Sequence, residues 1–201
     1  MKTYLVIIHI CIIVVSNILV SIPIDFYGFK ITWAAFSFPL VIVTTDFTTR
    51  LLGKSVAQNI IGYSFPFAIL SSIILLYLND NPISVSVRIG IASGIAYAIG
   101  ILIDINAFQF IREKYSNWWI APALSTIISN IIDSYTFFFS AFYNSEDLYM
   151  AKNWLEICGT QTLIKIIIGF IFFLPIYGLL LYIFLNKILR KKSKIFEFKK
   201  G

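Results

Sequence analysis

Histidine occurs once in this chain and cysteine twice, and only 13% of its 201 residues are charged. Each shortage excludes something. His9, with the distant Cys11 and Cys158, cannot supply the four ligands of a closed zinc site. Two cysteines so far apart are no disulfide framework, and both are expected as free thiols. So few charged side chains cannot cover the surface of a soluble domain of this length, which excludes a conventional soluble enzyme, a disordered chain and a nucleic-acid-binding module. A phosphate-binding loop is missing too: Gly53-Lys54-Ser55 resembles the end of one, but Thr48 stands where that loop requires glycine.

What is abundant is apolar, 59% of the chain. Apolar runs cover residues 4–22, 31–45, 59–78, 87–105, 118–142 and 162–186, and most are long enough to cross about 30 Å of hydrocarbon. The expectation is an all-α, polytopic membrane protein: a domain of six transmembrane helices over residues 1–186, followed by a basic cytoplasmic tail over 187–201. The first run is longer than a signal-peptide core and lacks a small-x-small cleavage site before Pro23, so it is read as a span. The second is short and interrupted by Pro39, as a half-helix or re-entrant segment would be. No stretch outside the runs exceeds about 20 residues, too little to fold as a catalytic or nucleotide-binding domain.

Lysine and arginine distribute unevenly about this plan. One side holds Lys2, Arg50, Lys54, Arg112, Lys114 and seven more between Lys187 and Lys200, twelve in all; the other holds Lys30, Arg88 and Lys152, with Lys165 just inside the sixth run. Positive residues are retained in the cytoplasm during insertion, so both termini are predicted there, and the loop with Glu146, Asp147 and Glu156 outside. Ile195, Phe196 and Phe198 among the basic residues of the tail would suit an anionic-lipid contact, but a stop signal is the favoured reading, since juxtamembrane basic residues are the ordinary consequence of the orientation rule.

Gly90, Gly94 and Ala98 form one small-xxx-small row and Ala92, Ala96 and Gly100 a second, a pattern that lets helices approach closely in lipid. The polar exceptions are more informative. Asp133 falls midway along the fifth run, where an ionised carboxylate costs roughly 2.5–3.5 kcal/mol and needs a partner or water. Asn130, three residues earlier, shares its helical face. At the end of the second run, Thr44-Thr45-Asp46-Phe47-Thr48-Thr49-Arg50 spaces Asp46 and Arg50 as i and i+4, a pair that either closes the helix end or forms an inner gate. If the chain divides into two three-helix halves, the middle run of each carries a proline followed by an aspartate, Pro39 with Asp46 and Pro122 with Asp133. Interrupted segments in corresponding places of inverted repeats point to a substrate site near mid-membrane. Trp33 and Phe36, i and i+3, offer a stacking wall for a flat ligand, whereas Trp118 and Trp119 read as interfacial anchors.

Ser16-Asn17, Thr32-Trp33-Ala34-Ala35-Phe36-Ser37-Phe38-Pro39, Thr45-Asp46 with Arg50 and Gly53, Trp118-Trp119 with Ala121-Pro122 and Ser125-Thr126, Asn130 with Asp133, and Leu174-Pro175 with Tyr177-Gly178 together resemble the YhhQ family of queuosine precursor transporters. The resemblance implies a six-span bacterial inner-membrane protein, grouped with vitamin uptake transporters, that imports 7-cyano-7-deazaguanine or a related 7-deazapurine for tRNA queuosine. Ala34 departs from a glycine expected of that family, Ser134 from a threonine, and Gln58 stands in a region often more basic. The chemistry is compatible: a 7-deazaguanine presents a ring N–H beside an exocyclic amine, which Asp133 or Asp46 can accept, Asn130 can donate to the ring carbonyl, and Trp33 or Phe36 can cover the flat face. No cofactor, metal or nucleic-acid partner is implied; the partners are the small-molecule base and the bilayer. Two alternatives stand beside this reading: a substrate-capturing membrane subunit that needs a separate ATP-driven partner, and an intramembrane aspartyl hydrolase using Asp104 and Asp133.

Overall fold

The computed structural model describes residues 2–20, 23–26, 29–183 and 186, so the tail over 187–201 lies outside the described residues. Six α-helices follow one another: α1 (Lys2–Val20), α2 (Ala34–Leu52), α3 (Lys54–Leu78), α4 (Ile83–Lys114), α5 (Ile120–Phe142) and α6 (Leu148–Ile168). α6 continues through a π turn, Gly169–Phe173, into a further helical stretch, so that the whole runs Leu148–Ile183. By length and composition α3, α4 and the α6 continuum are apolar enough to cross a membrane. The helices correspond one to one with the six apolar runs, with shifted boundaries.

The first correction lies between α1 and α2. Strands β1 (Pro23–Phe26) and β2 (Phe29–Thr32) form an antiparallel ribbon that pairs Ile24 with Ile31 and Phe26 with Phe29. The fold is therefore all-helical, as expected, apart from this one short ribbon. Ile31 and Thr32, read as the start of the second span, belong to this ribbon; β-branched and aromatic residues suit it.

The second correction concerns α2, which is a continuous helix of 19 residues through Pro39 and does not stop at residue 45. Its threonines explain why a polar stretch remains helical. The hydroxyls of Thr44, Thr45, Thr48 and Thr49 donate to the carbonyls of Leu40, Val41, Thr44 and Thr45, four residues back in each case. Each threonine so satisfied costs little to bury, and Thr45, Asp46, Thr48 and Thr49 are all buried. Gly53 separates α2 from α3 as a single residue at φ 90°, its N–H donating to the Thr49 carbonyl. Only glycine adopts that backbone without strain.

The small-residue rows of α4 serve two neighbours. Any Cβ at Gly90 or Gly94 would collide with Ile73 or Ile69 of α3, while one at Gly100 would lie 2.8 Å from the Asp133 Cβ on α5. α4 is thus clamped between α3 and α5. On the α1 side, His9 hydrogen-bonds the Leu5 carbonyl at 2.8 Å and faces Thr45 Oγ1 at 3.3 Å, as a packed helix residue does.

α6 begins earlier than the sixth apolar run: Asp147 caps it, accepting from the Met150 N–H at 3.0 Å, so Lys152 and Glu156 lie within the helix. Pro175 accounts for the π turn. Its ring would clash with the carbonyl of residue 171, four positions back, and it offers no N–H to that carbonyl. Widening the preceding turn relieves both.

Candidate functional site

A cleft opens between α2, α5 and the π-turn segment of α6. Ile42, Val43 and Asp46 form one wall, Pro122, Ala123 and Thr126 the second, and Gly169, Phe170, Phe173, Leu174 and Tyr177 the third. α2 and α5, the helices that carry the two proline–aspartate segments, therefore both line it. Counted out to its mouth the cleft encloses about 360 Å³, but the space in which the centre of a water molecule can move is only about 20 Å³. A water fits; a purine does not until the walls part.

Asp46 is 1% exposed, and its Oδ1 has no hydrogen-bond partner. Across the α2–α4 contact it is set beside Asp104: Ile42 packs with Ile101 and Ile105 one turn before, and Arg50 lies over Phe108 one turn beyond. Asp104 is fully buried, its Oδ1 accepting from the Ser129 hydroxyl at 3.4 Å while Oδ2 is unpartnered. The sequence had paired Asp104 with Asp133; the fold pairs it with Asp46. The Tyr177 hydroxyl, on a ring 1% exposed, also lacks a partner. Asn130 lies one turn beyond Thr126 on α5, fully buried, with both amide atoms unpartnered.

Arg50 makes no ion pair with Asp46 within 4.0 Å, although both lie on α2 at i and i+4; one pair is found among the described residues, and it is elsewhere. Instead the Arg50 guanidinium lies 5.7 Å from the Phe108 ring centre and 5.5 Å from that of Tyr177, and Nη2 donates to the Trp118 carbonyl at 3.4 Å. Arg112 donates to the Arg50 carbonyl at 3.3 Å. The arginine thus ties α2 to the α5 entrance and braces the wall that carries Tyr177. Trp118, read as an interfacial anchor, stacks on Tyr177 with centroids 6.5 Å apart, and a Cβ at Gly178 would fall 2.6 Å from its Cη2. Tyr177-Gly178 is a seat for an indole.

Asp133 is placed differently. Lys165 Nζ lies 3.0 Å from its Oδ2 and 3.2 Å from Ser134 Oγ, tying α5 to α6 outside the cleft lining. In the sequence Lys165 stands just inside the sixth run with no partner indicated, because nothing in local spacing links residues on separate helices. Trp33 and Phe36 contact each other at 5.7 Å between centroids, tilted by 47°. They stand 10 to 13 residues before Asp46, roughly 15–20 Å along the helix axis, and do not line the cleft. The aromatic wall of the cleft is Phe170, Phe173 and Tyr177.

This arrangement meets two independent comparisons. The family described as "Putative vitamin uptake transporter" matches residues 32–180. The "Queuosine precursor transporter" of Escherichia coli (strain K12) is 38% identical over 198 residues, 93% of this chain and 89% of that one. The chain belongs to the vitamin uptake transporter family. A second relative, the "Probable queuosine precursor transporter" of Haemophilus influenzae Rd, is 33% identical over 203 residues, 90% of this chain and 86% of its own. No solved structure matches. As a member of this family the chain is a membrane transport protein and not an enzyme. The matched segment runs from the end of β2 to the helix beyond the π turn and so encloses every cleft residue.

Proposed function

We propose that the chain imports a queuosine precursor, 7-cyano-7-deazaguanine or a related 7-deazapurine, across the bacterial inner membrane, with six crossings and both termini cytoplasmic. The observation that carries this reading is the group of buried, unpartnered polar atoms at and beside the cleft: Asp46 Oδ1, the Tyr177 hydroxyl and both amide atoms of Asn130. Leaving such a group unsatisfied costs about 1–3 kcal/mol. Proteins keep them where a ligand takes up the hydrogen bonds.

A 7-deazaguanine supplies the complement. Its ring N–H and exocyclic amine donate to Asp46, its carbonyl accepts from Asn130, and Phe170, Phe173 or Tyr177 covers its face. Of the residues singled out in the sequence, Asp46 and Asn130 are proposed to read the base, Asp133 to hold α5 against Lys165, and Trp33 and Phe36 to anchor the start of α2. Because the cleft in this conformation admits only water, substrate access requires α2 and the π-turn segment to separate, as alternating access demands.

The test is uptake of labelled 7-cyano-7-deazaguanine in a host without its own importer, with the aminomethyl base and queuine as competitors. Saturable uptake lost in Asp46→Asn and Asn130→Leu, with normal membrane levels, is the expected result. Unaltered uptake by both variants refutes the assignment. Uptake that appears only when an ATP-hydrolysing partner is supplied favours the capture-subunit alternative.

A further inference from the structure

Two carboxyl groups set side by side away from water disfavour a second negative charge, so one of them holds a proton. Asp46 and Asp104 are placed so from α2 and α4, both wholly buried, with Ile42 packed against Ile101 and Ile105 one turn before and Arg50 over Phe108 one turn beyond. Their surroundings leave few other ways to hold two negative charges. On α2 the nearby cation is Arg50, one turn on; α4 adds Arg112, two turns beyond Asp104, which donates to the Arg50 carbonyl. From α5 come the neutral Ser125, Ser129 and Asn130, and from α6 the Tyr177 phenol. α3 presents Ala57 and Ile61, and α1 places His9 against Thr45, the residue before Asp46. Neither arginine forms an ion pair with Asp46 or Asp104 within 4.0 Å, so two ionised carboxylates here would carry uncompensated buried charge, which a proton on one of them relieves. Tyr177, unpartnered and 1% exposed, lines the same cleft as Asp46, which puts the pair at the transport path and not in a sealed core.

We infer that Asp46 and Asp104 form the proton-coupling site of this transporter, holding one proton while the cleft is closed and exchanging it with water when the cleft opens, so that one proton travels with each base. This rests on the import reading and assigns its energy source. The proton enters from the water on the side where the base enters, sits between Asp46 and Asp104, and leaves to water on the far side; no other bond is made or broken. Asp104 has no contact with the proposed base edge and acts on transport through Asp46.

The experiment uses the full chain in liposomes with tritiated 7-cyano-7-deazaguanine, the membrane potential clamped at zero. Base-for-base counterflow is measured first, then accumulation against a pH step, with a trapped dye reporting lumen pH. One proton per base predicts about tenfold accumulation for one pH unit, acid outside, with acidification of the lumen. Asp104→Asn is expected to equilibrate the base without accumulating it and without acidification, whereas Asp104→Glu restores both. Wild-type counterflow with no response to the pH step, accumulation driven by a sodium gradient alone, or coupled accumulation by Asp104→Asn overturns the inference. Absence of wild-type counterflow with any deazapurine sinks the substrate reading, and this inference with it. Where Asp104→Asn does not fold, Asp104→Ser takes its place with the same expected loss, and coupled accumulation by that variant overturns the inference equally.

Discussion

Removing the Lys165 ammonium isolates a carboxylate that the fold has taken largely out of water. Lys165 and Asp133 side chains are 15% and 8% exposed, and Nζ reaches Oδ2 at 3.0 Å. Both sit on helices that the import reading puts within the bilayer, where a lone ionised aspartate costs about 2.5–3.5 kcal/mol. Breaking one side of a buried pair costs about 3–5 kcal/mol, whereas exchanging both partners for apolar residues of similar volume is near neutral. Lys165→Met should therefore lose about 3 kcal/mol, which for a chain of this size lowers the unfolding midpoint by roughly 6–12 °C. Asp133→Leu with Lys165→Met should recover most of it, since Ser134 can turn its hydroxyl to a carbonyl of its own helix. Thermal unfolding of the detergent-solubilised protein, read by monodisperse fraction after heating, measures the cycle. The reasoning fails if Lys165→Met melts with the parent, or if the double variant melts as low as the single ones. Uptake adds a second reading: the double variant transports if Asp133 is only an anchor, and is inactive if Asp133 reads the base.

Tyr177→Phe removes a buried hydroxyl that has no partner, so stability should hold or rise by about 1 kcal/mol while base affinity falls, a split visible as a higher midpoint with a higher KM for uptake. Gly94→Val drives a side chain into Ile69 across the α3–α4 contact and should cost about 1–3 kcal/mol or more, seen as loss of folded protein in membranes. Pro175→Ala permits an ordinary α-turn at residues 169–173; the lost residue of the wide turn rotates the following helix by roughly 100° against the preceding one. Tyr177 and Gly178 then leave the Trp118 seat, so uptake should drop with helix content unchanged in circular dichroism.

How much of this was legible in the sequence follows from the range over which each signal acts. Hydrophobic run length is local, and six runs of it became six helices. Glycine spacing is local to one helix face, and both rows of α4 found neighbours. The end of α2 was misjudged because hydropathy scores threonine as polar, whereas its hydroxyl donates to the carbonyl four residues back and disappears into the helix. The ribbon at 23–32 was hidden because Ile and Phe serve a strand and a membrane helix alike.

Pairing between helices is another matter. Three aspartates lie within the bundle, and nothing in their spacing says which meets which. Asp133 drew attention through its position at the centre of the fifth run, yet a lysine 32 residues away claims it. Asp104 drew little, since it falls at the end of the fourth run where an acidic residue is unremarkable; α4 extends to Lys114 and carries it inward. Gly100 brings α5 hard against α4, and Ser129 of α5 holds the Asp104 Oδ1, while α2 brings Asp46 from the other side. The sequence therefore marks which groups are costly to bury, and only the packed bundle decides which cost is met by a neighbouring helix and which is left for the transported solute.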